Sequence, residues 1–302
     1  MSTPAGKLGD EVCTTPAASA TLPWVPLLWF GGLLILLYLP VLASLVNDWQ
    51  VDENVSHGFF APLVAGWVVW QRRQKLFRQP PVPNYWAIAL IAWGSVQLLL
   101  ATLGAEMFLA RVAFLISLVG VIWTLCGTSI IKTLAFPLFL LVFMIPLPAI
   151  IYNQITFPLQ LLASRLAEVS LTLLDIPVFR EGNILELASQ RLSVVEACSG
   201  IRSLLSLSFL SVVYAYAFDS KVWMRGFLLV ATVPIAIAAN AGRVTITGIL
   251  GEYKREWAEG FFHLVEGWVI FMLALIALIG IHALTNSIYA LTRRRITENV
   301  PQ

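Results

Sequence analysis

The chain carries a series of apolar runs, most of them about 20 residues long, and runs of that length have few places to go. A helix rises about 1.5 Å per residue, so about 20 apolar residues match the ~30 Å hydrocarbon core of a bilayer. The runs fall at 25–46, 58–71, 86–104, 107–126, 130–151, 200–218, 226–248 and 264–284. In hydrocarbon every backbone N–H and C=O must be bonded internally, and a helix does this within one segment. The sequence therefore predicts an all-α, polytopic transmembrane helical bundle of about eight spans. Composition agrees: 59% of residues are hydrophobic and 12% charged, where a soluble domain carries about 25% charged residues. A net charge of +2 gives no footing for a nucleic-acid partner.

The clustering of Lys and Arg reports topology instead. Arg72, Arg73, Lys75 and Arg78 share one linker, Lys221 and Arg225 another, and Arg293, Arg294 and Arg295 the tail. The positive-inside rule puts all three in the cytoplasm. Linkers with Asp48, Asp52 and Glu53, or with Glu252, Glu256 and Glu259 against Lys254 and Arg255, then face outward. Eight spans with both termini cytoplasmic satisfy every sign. A further apolar stretch, 155–176, contains Arg165, Glu168 and Asp175 and reads as interfacial or re-entrant. Residues 1–20 hold Lys7, Asp10 and Glu11 and no apolar core, so the first run reads as a retained helix rather than a cleaved leader. The expected organisation is a cytoplasmic segment 1–24, a transmembrane domain 25–285 and a basic cytoplasmic tail 286–302. Before the sixth span, Ile184, Leu185, Leu187, Leu192 and Val194 alternate partly with polar residues, which predicts a small hairpin or loop on the outer rim. Trp24, Trp29, Trp49, Trp67, Trp70, Trp86 and Trp268 read as interfacial anchors. Arg111 reads as snorkelling, and Arg165 and Arg180 as facing headgroups or water.

That topology brings three chemically capable side chains from separate segments to the outer face. Cys198 sits in Glu196-Ala-Cys-Ser-Gly-Ile-Arg202, where a turn enters a helix. The positive end of the helix dipole and Arg202 one turn on would both favour the nucleophilic thiolate. A small buried cysteine is the plainer reading, but Cys13 and Cys126 are placed where neither can reach Cys198 for a disulfide. Arg243 follows Asn240 by three residues, on one helix face; it either snorkels or stabilises charge at a site. His263 suits general acid–base work, with Glu266 three residues on to orient the imidazole, against an interfacial histidine or a metal-ligand pair. No HExxH pattern, paired cysteines or nucleotide-binding glycine motif appears, so no metal or cofactor is expected. Asn54 and His57 lie on the first outer loop, where His57 either lines the substrate entrance or supplies a second proton-transfer group, or the cluster simply caps the start of the second span. His282, toward the other end of the last span, reads as structural.

At these residues the sequence resembles the exosortase branch of the exosortase/archaeosortase family. The matching segments are Glu196-Ala-Cys198-Ser-Gly-Ile-Arg202-Ser, Asn240-Ala-Gly-Arg243-Val-Thr, Phe262-His263 with Gly267-Trp268, and Asn54-Val-Ser-His57-Gly. The resemblance implies a membrane thiol protease or transpeptidase with Cys198 as nucleophile and Arg243 and His263 as its partners. It implies a site on the periplasmic side of a bacterial inner membrane. Implied substrates are exported proteins ending in a Pro-Glu-Pro-like motif, one transmembrane helix and a basic tail, processed alongside exopolysaccharide synthesis. Two other classes stay open from the residues alone: a transporter or polysaccharide-export component, and a non-catalytic membrane scaffold.

Overall fold

Prolines decide where the apolar runs break. The computed structural model describes residues 22–52, 54–194, 201–219, 221–253 and 261–298, with backbone only at 201, 253, 261–264, 266 and 293–298. Helix α1 (Trp24–Leu37) gives way to α2 (Leu39–Val51) with a bend of 69°. Pro40 has no N–H to continue the ladder there, so the expected run 25–46 is two helices. The expected span 130–151 is also interrupted. Helix α7 (Thr128–Leu140) tightens into a 3₁₀ turn (Leu141–Met144), and the chain restarts as α8 (Ala149–Leu173) at 81° to it. Pro146 and Pro148 frame that break, and Pro148 caps α8. The stretch read as 155–176 is therefore the greater part of α8.

The remaining helices are α3 (Phe60–Gln71), the short α4 (Arg73–Phe77), α5 (Ile88–Leu103), α6 (Met107–Cys126), α9 (Ile201–Phe218), α10 (Val222–Tyr253) and α11 (Phe261–Glu298). The molecule is an all-α, multi-pass membrane bundle. Four described helices are individually long and apolar enough to cross, and six crossings result if each bent pair counts as one. The expected eight needs α3 and α9 as well, and both are shorter.

The chain divides into two compact units. In the unit of Met1–Leu42 and Leu63–Phe139, α5 and α6 form a hairpin packed through small residues. Ala113 O would lie 3.1 Å from a Cβ at Gly94, and the Ile91 amide 3.1 Å from one at Gly120, so both sites need glycine for this approach. Tyr38 from α1 is fully buried against the pair, its hydroxyl 3.0 Å from Ser117 Oγ. Arg111, one turn into α6, is buried at 5% exposure rather than snorkelling. Gly127 ends α6 at φ 85°, ψ 179°, a conformation that in practice only glycine adopts. In the basic linker, Arg72 donates to Thr133 O at 2.9 Å, tying it to α7.

The unit of Ala43–Pro62 and Leu140–Gln302 contains the predicted hairpin, enlarged to a three-stranded antiparallel meander. Strands β1 (Val178–Glu181), β2 (Ile184–Leu187) and β3 (Arg191–Ser193) turn at Gly182, φ 64°. Period-2 alternation puts Leu185, Leu187 and Leu192 on one face, in one buried cluster with Ala163, Ala167 and Leu171 of α8 and Val244 of α10. Arg180, expected to face headgroups or water, is partly exposed and pairs with Glu168 of α8 at 2.6 Å. Helices α9, α10 and α11 pack through two further clusters. One joins Leu207, Ala236 and Ala274; the other joins Ala215, Met224, Leu228 and Leu278.

Candidate active site

Arg243 lies on α10 well past the middle of its length, and its guanidinium rests against the backbone of α11. A Cβ built on Gly267 would stand 3.5 Å from Arg243 Cζ and Nη2 and 3.6 Å from Nη1. Any longer side chain there would contest the space. His263 is one turn before Gly267, and residues four apart share a helix face. The backbone thus places the His263 position on the face of α11 that meets Arg243. The side chains of His263 and Glu266 lie outside the described residues.

Cys198 and Glu196 also lie outside them, in the segment 195–200, but residues on both sides of that segment pack with α10. Val194, on the entering side, is fully buried in the cluster that contains Val244, the residue after Arg243. Leu204, in the first turn of α9 on the leaving side, lines a small cleft with Asn240, Ala236 and Ile237 of α10 and Leu159 of α8. Asn240 is buried at 6% exposure, one turn from Arg243. Arg202 is exposed in the opening turn of α9. The described residues on either side of that segment thus share a buried cluster with Val244 and a cleft with Asn240.

Asn54 and His57 belong to a different cluster. The Asp52 carboxylate accepts from both the backbone N–H and the side-chain amide of Asn54, at 2.8 Å each. The His57 ring faces the backbone of Asn54 and of Phe143 in the 3₁₀ turn after α7, and burial holds its pKa below the ordinary histidine value. Trp49, expected as an interfacial anchor, is instead 8% exposed and donates its indole N–H to Met144 O at 2.9 Å. The other six tryptophans read as anchors are exposed, as that role requires. The loop between α2 and α3 thus packs on the break between α7 and α8.

Two arrangements had no signal in the sequence that singled them out. Ser189, in the β2–β3 turn, donates from Oγ to Glu252 Oε2 at 2.7 Å, and the same oxygen lies 3.3 Å from Gly251 O, at the far end of α10. At the opposite end of the same three helices, His282 joins a buried network with Asp219 and Tyr214. Among the described residues no three His, Cys, Asp or Glu side chains gather as metal ligands.

Broken apolar helices, an arginine held on a glycine of the neighbouring helix and a small β-meander packed on α8 and α10 define a multi-pass membrane protein. A family model for transmembrane exosortases matches residues 49–280, well over half of the chain, and includes all four motif segments. The chain belongs to the transmembrane exosortase family. Neither curated proteins nor solved structures give a match.

Proposed function

We propose that this exosortase is a membrane thiol protease or transpeptidase acting on C-terminal sorting signals of exported proteins. The Cys198 thiolate attacks a substrate carbonyl, and the oxyanion of the tetrahedral intermediate is held by the Arg243 guanidinium. The C–N bond breaks, the leaving amine takes its proton from His263, and the acyl group remains as a thioester on sulfur. An amine or water, losing its proton to His263, then resolves the thioester and regenerates the thiol. Asn240 and Arg202 support the arginine and the thiolate, Glu196 and Glu266 flank the nucleophile and the histidine, and Asn54 and His57 belong to the substrate entrance. The site works at the periplasmic face of the inner membrane, where a spanning substrate with a basic inner tail would dock laterally.

The contact between Arg243 and Gly267, one turn from His263, is the observation that carries this reading. It is tested with a membrane-inserted reporter ending in a Pro-Glu-Pro motif, one transmembrane helix and a basic tail. Cells with the wild-type chain should shorten the reporter, and C198A at equal membrane abundance should leave it intact. Equal processing by C198A would remove the nucleophile assignment.

A further inference from the structure

The three helices of the candidate site are joined a second time at their other ends. Asp219, in the turn between α9 and α10, is buried at 8% exposure, and His282 of α11 at 7%. His282 Nε2 lies 3.1 Å from Asp219 Oδ2, and its Nδ1 lies 2.9 Å from the Tyr214 hydroxyl of α9. The Asn286 amide nitrogen lies 2.8 Å from the same Nε2, so one ring meets Tyr214, Asp219 and Asn286 and links two helices and the turn between them. Asn286, one turn on along α11, has its amide nitrogen 3.4 Å from Asp219 Oδ2 and accepts from Lys221 Nζ at 2.8 Å. The Lys221 amide donates to Asp219 Oδ1 at 2.7 Å, and Lys221 Nζ sits 4.4 Å over the Tyr289 ring. Arg225, in the first turn of α10, donates twice to the Asp219 carbonyl, at 2.9 and 2.7 Å.

Each of these helices also carries, or leads directly from, one member of the Cys198, Arg243 and His263 set. Arg225 and Arg243 are 18 residues apart on α10, and His263 and His282 are 19 apart on α11. At about 1.5 Å per residue both separations are about 27–29 Å, close to the ~30 Å core of a bilayer. Between the two ends Leu207, Ala236, Ala274 and Leu278 pack in apolar clusters, and the buried Thr232 hydroxyl bonds within α10. Apolar packing is non-directional and fixes axial position less sharply than hydrogen bonds do. A slip of one residue moves a helix end by about 1.5 Å, and a misplacement of about 1 Å at reacting groups can cost ~100-fold in rate.

We propose that the buried Asp219–His282 pair, with Tyr214, Asn286, Lys221 and Arg225, is a register lock whose members are positioning residues for the site about 30 Å away. It sets the axial offset of α9, α10 and α11, and so the offset at which the Cys198, Arg243 and His263 positions meet. The catalytic consequence rests on the proposed activity; the geometric claim does not.

The test therefore reads geometry first. In the full-length C13A/C126A/C198A chain in lipid vesicles, spin labels on S203C of α9 and V269C of α11 report the separation at the site end. D219A and H282A should each shift or broaden that distance by ~1.5 Å or more, one residue of rise. S287A, whose hydroxyl donates to Ala283 O within α11, should leave it alone. An unchanged distance in D219A and H282A overturns the lock. In the native-cysteine chain, D219A should lower reporter processing ~10-fold or more at saturating reporter, with KM little changed. D219A/H282A should be no slower than either single variant, because the pair acts as one. Normal turnover per inserted molecule in D219A overturns the positioning role. Labels that move while even the wild type leaves the reporter intact would support the lock and reject the proposed activity.

Discussion

The guanidinium of Arg243 lies flat enough on α11 that a Cβ at Gly267 would stand 3.5 Å from its central carbon. That distance is ordinary van der Waals contact, so the helix accepts one added carbon and little more. G267A should process reporter within about threefold of wild type. G267L places branched carbons where the guanidinium now sits and should lower processing by ~10-fold or more. R243K should not restore activity lost in R243A, because a lysine offers a point charge in place of a planar fork. Reporter cleavage at matched membrane abundance checks all three, and an active R243K would mean that charge alone suffices.

The loop between α2 and α3 depends on a glycine in a different way. A Cβ on Gly58 would fall inside the Trp49 indole, which is buried and bonded to Met144 O at 2.9 Å. G58A should destabilise the protein by about 1–3 kcal/mol, the usual cost of overpacking. W49F removes the indole N–H and leaves a buried carbonyl short of its donor, costing about 1–2 kcal/mol. In the double variant G58A/W49A the two effects should be less than additive, since alanine vacates the space that the new Cβ needs. Thermal unfolding in detergent measures each.

His57 gives that loop a pH dependence. Its pKa is lowered by burial, against backbone contacts with Asn54 and Phe143 that raise it, so the folded state favours the neutral ring. A group whose folded pKa is depressed gives its full stabilisation above the unfolded value, about 6.5 for histidine. That stabilisation is lost as pH falls through the lower folded value. The melting temperature should therefore be flat above about pH 7 and fall on acidification toward pH 5. H57Q should remove much of that fall. Equal acid sensitivity in H57Q would assign the effect to another group.

Class of fold and the order of the motifs were legible because they follow from lengths and signs. Apolar runs gave the helices, and the alternation around Leu185, Leu187 and Leu192 gave the strands. The breaks were less legible. Pro40, Pro146 and Pro148 are visible, but membrane helices often carry proline, as α7, α8 and α10 do at Pro137, Pro158 and Pro234. Whether a proline bends or breaks a helix depends on the groups that take up the released carbonyls, and these come from elsewhere in the chain. Burial of Arg111 and Trp49 was hidden for the same reason, since both residue types occur at interfaces and inside. At the site, the spacing of Asn240 and Arg243 predicted a shared face. The choice of Gly267 as the surface under the guanidinium needed the crossing of α10 and α11, which no local pattern encodes. His282 looked isolated because its partners Asp219 and Tyr214 lie 63 and 68 residues away.

The latch between Ser189 and α10 is the last arrangement with a measurable consequence. A helix leaves its final carbonyls without intrahelical donors, and its C-terminal end disfavours negative charge. Glu252 sits in that last turn, so its carboxylate is in an unfavourable field unless donors face it. Ser189 supplies two, its amide at 3.3 Å and its hydroxyl at 2.7 Å, and the same hydroxyl lies 3.3 Å from the Gly251 carbonyl. Gly251 leaves room for the Gln190 side chain to lie over the backbone. S189A should cost about 1 kcal/mol, the scale of a partly exposed hydrogen bond, and should speed amide exchange across residues 248–253 while leaving α9 unchanged. E252Q removes the charge but keeps an acceptor, and should exchange more slowly than S189A. Because this turn opens into β3 and then into the segment bearing Cys198, S189A should also lower reporter turnover. If exchange rises without any change in turnover, the latch holds the end of α10 alone and has no part in placing the thiol.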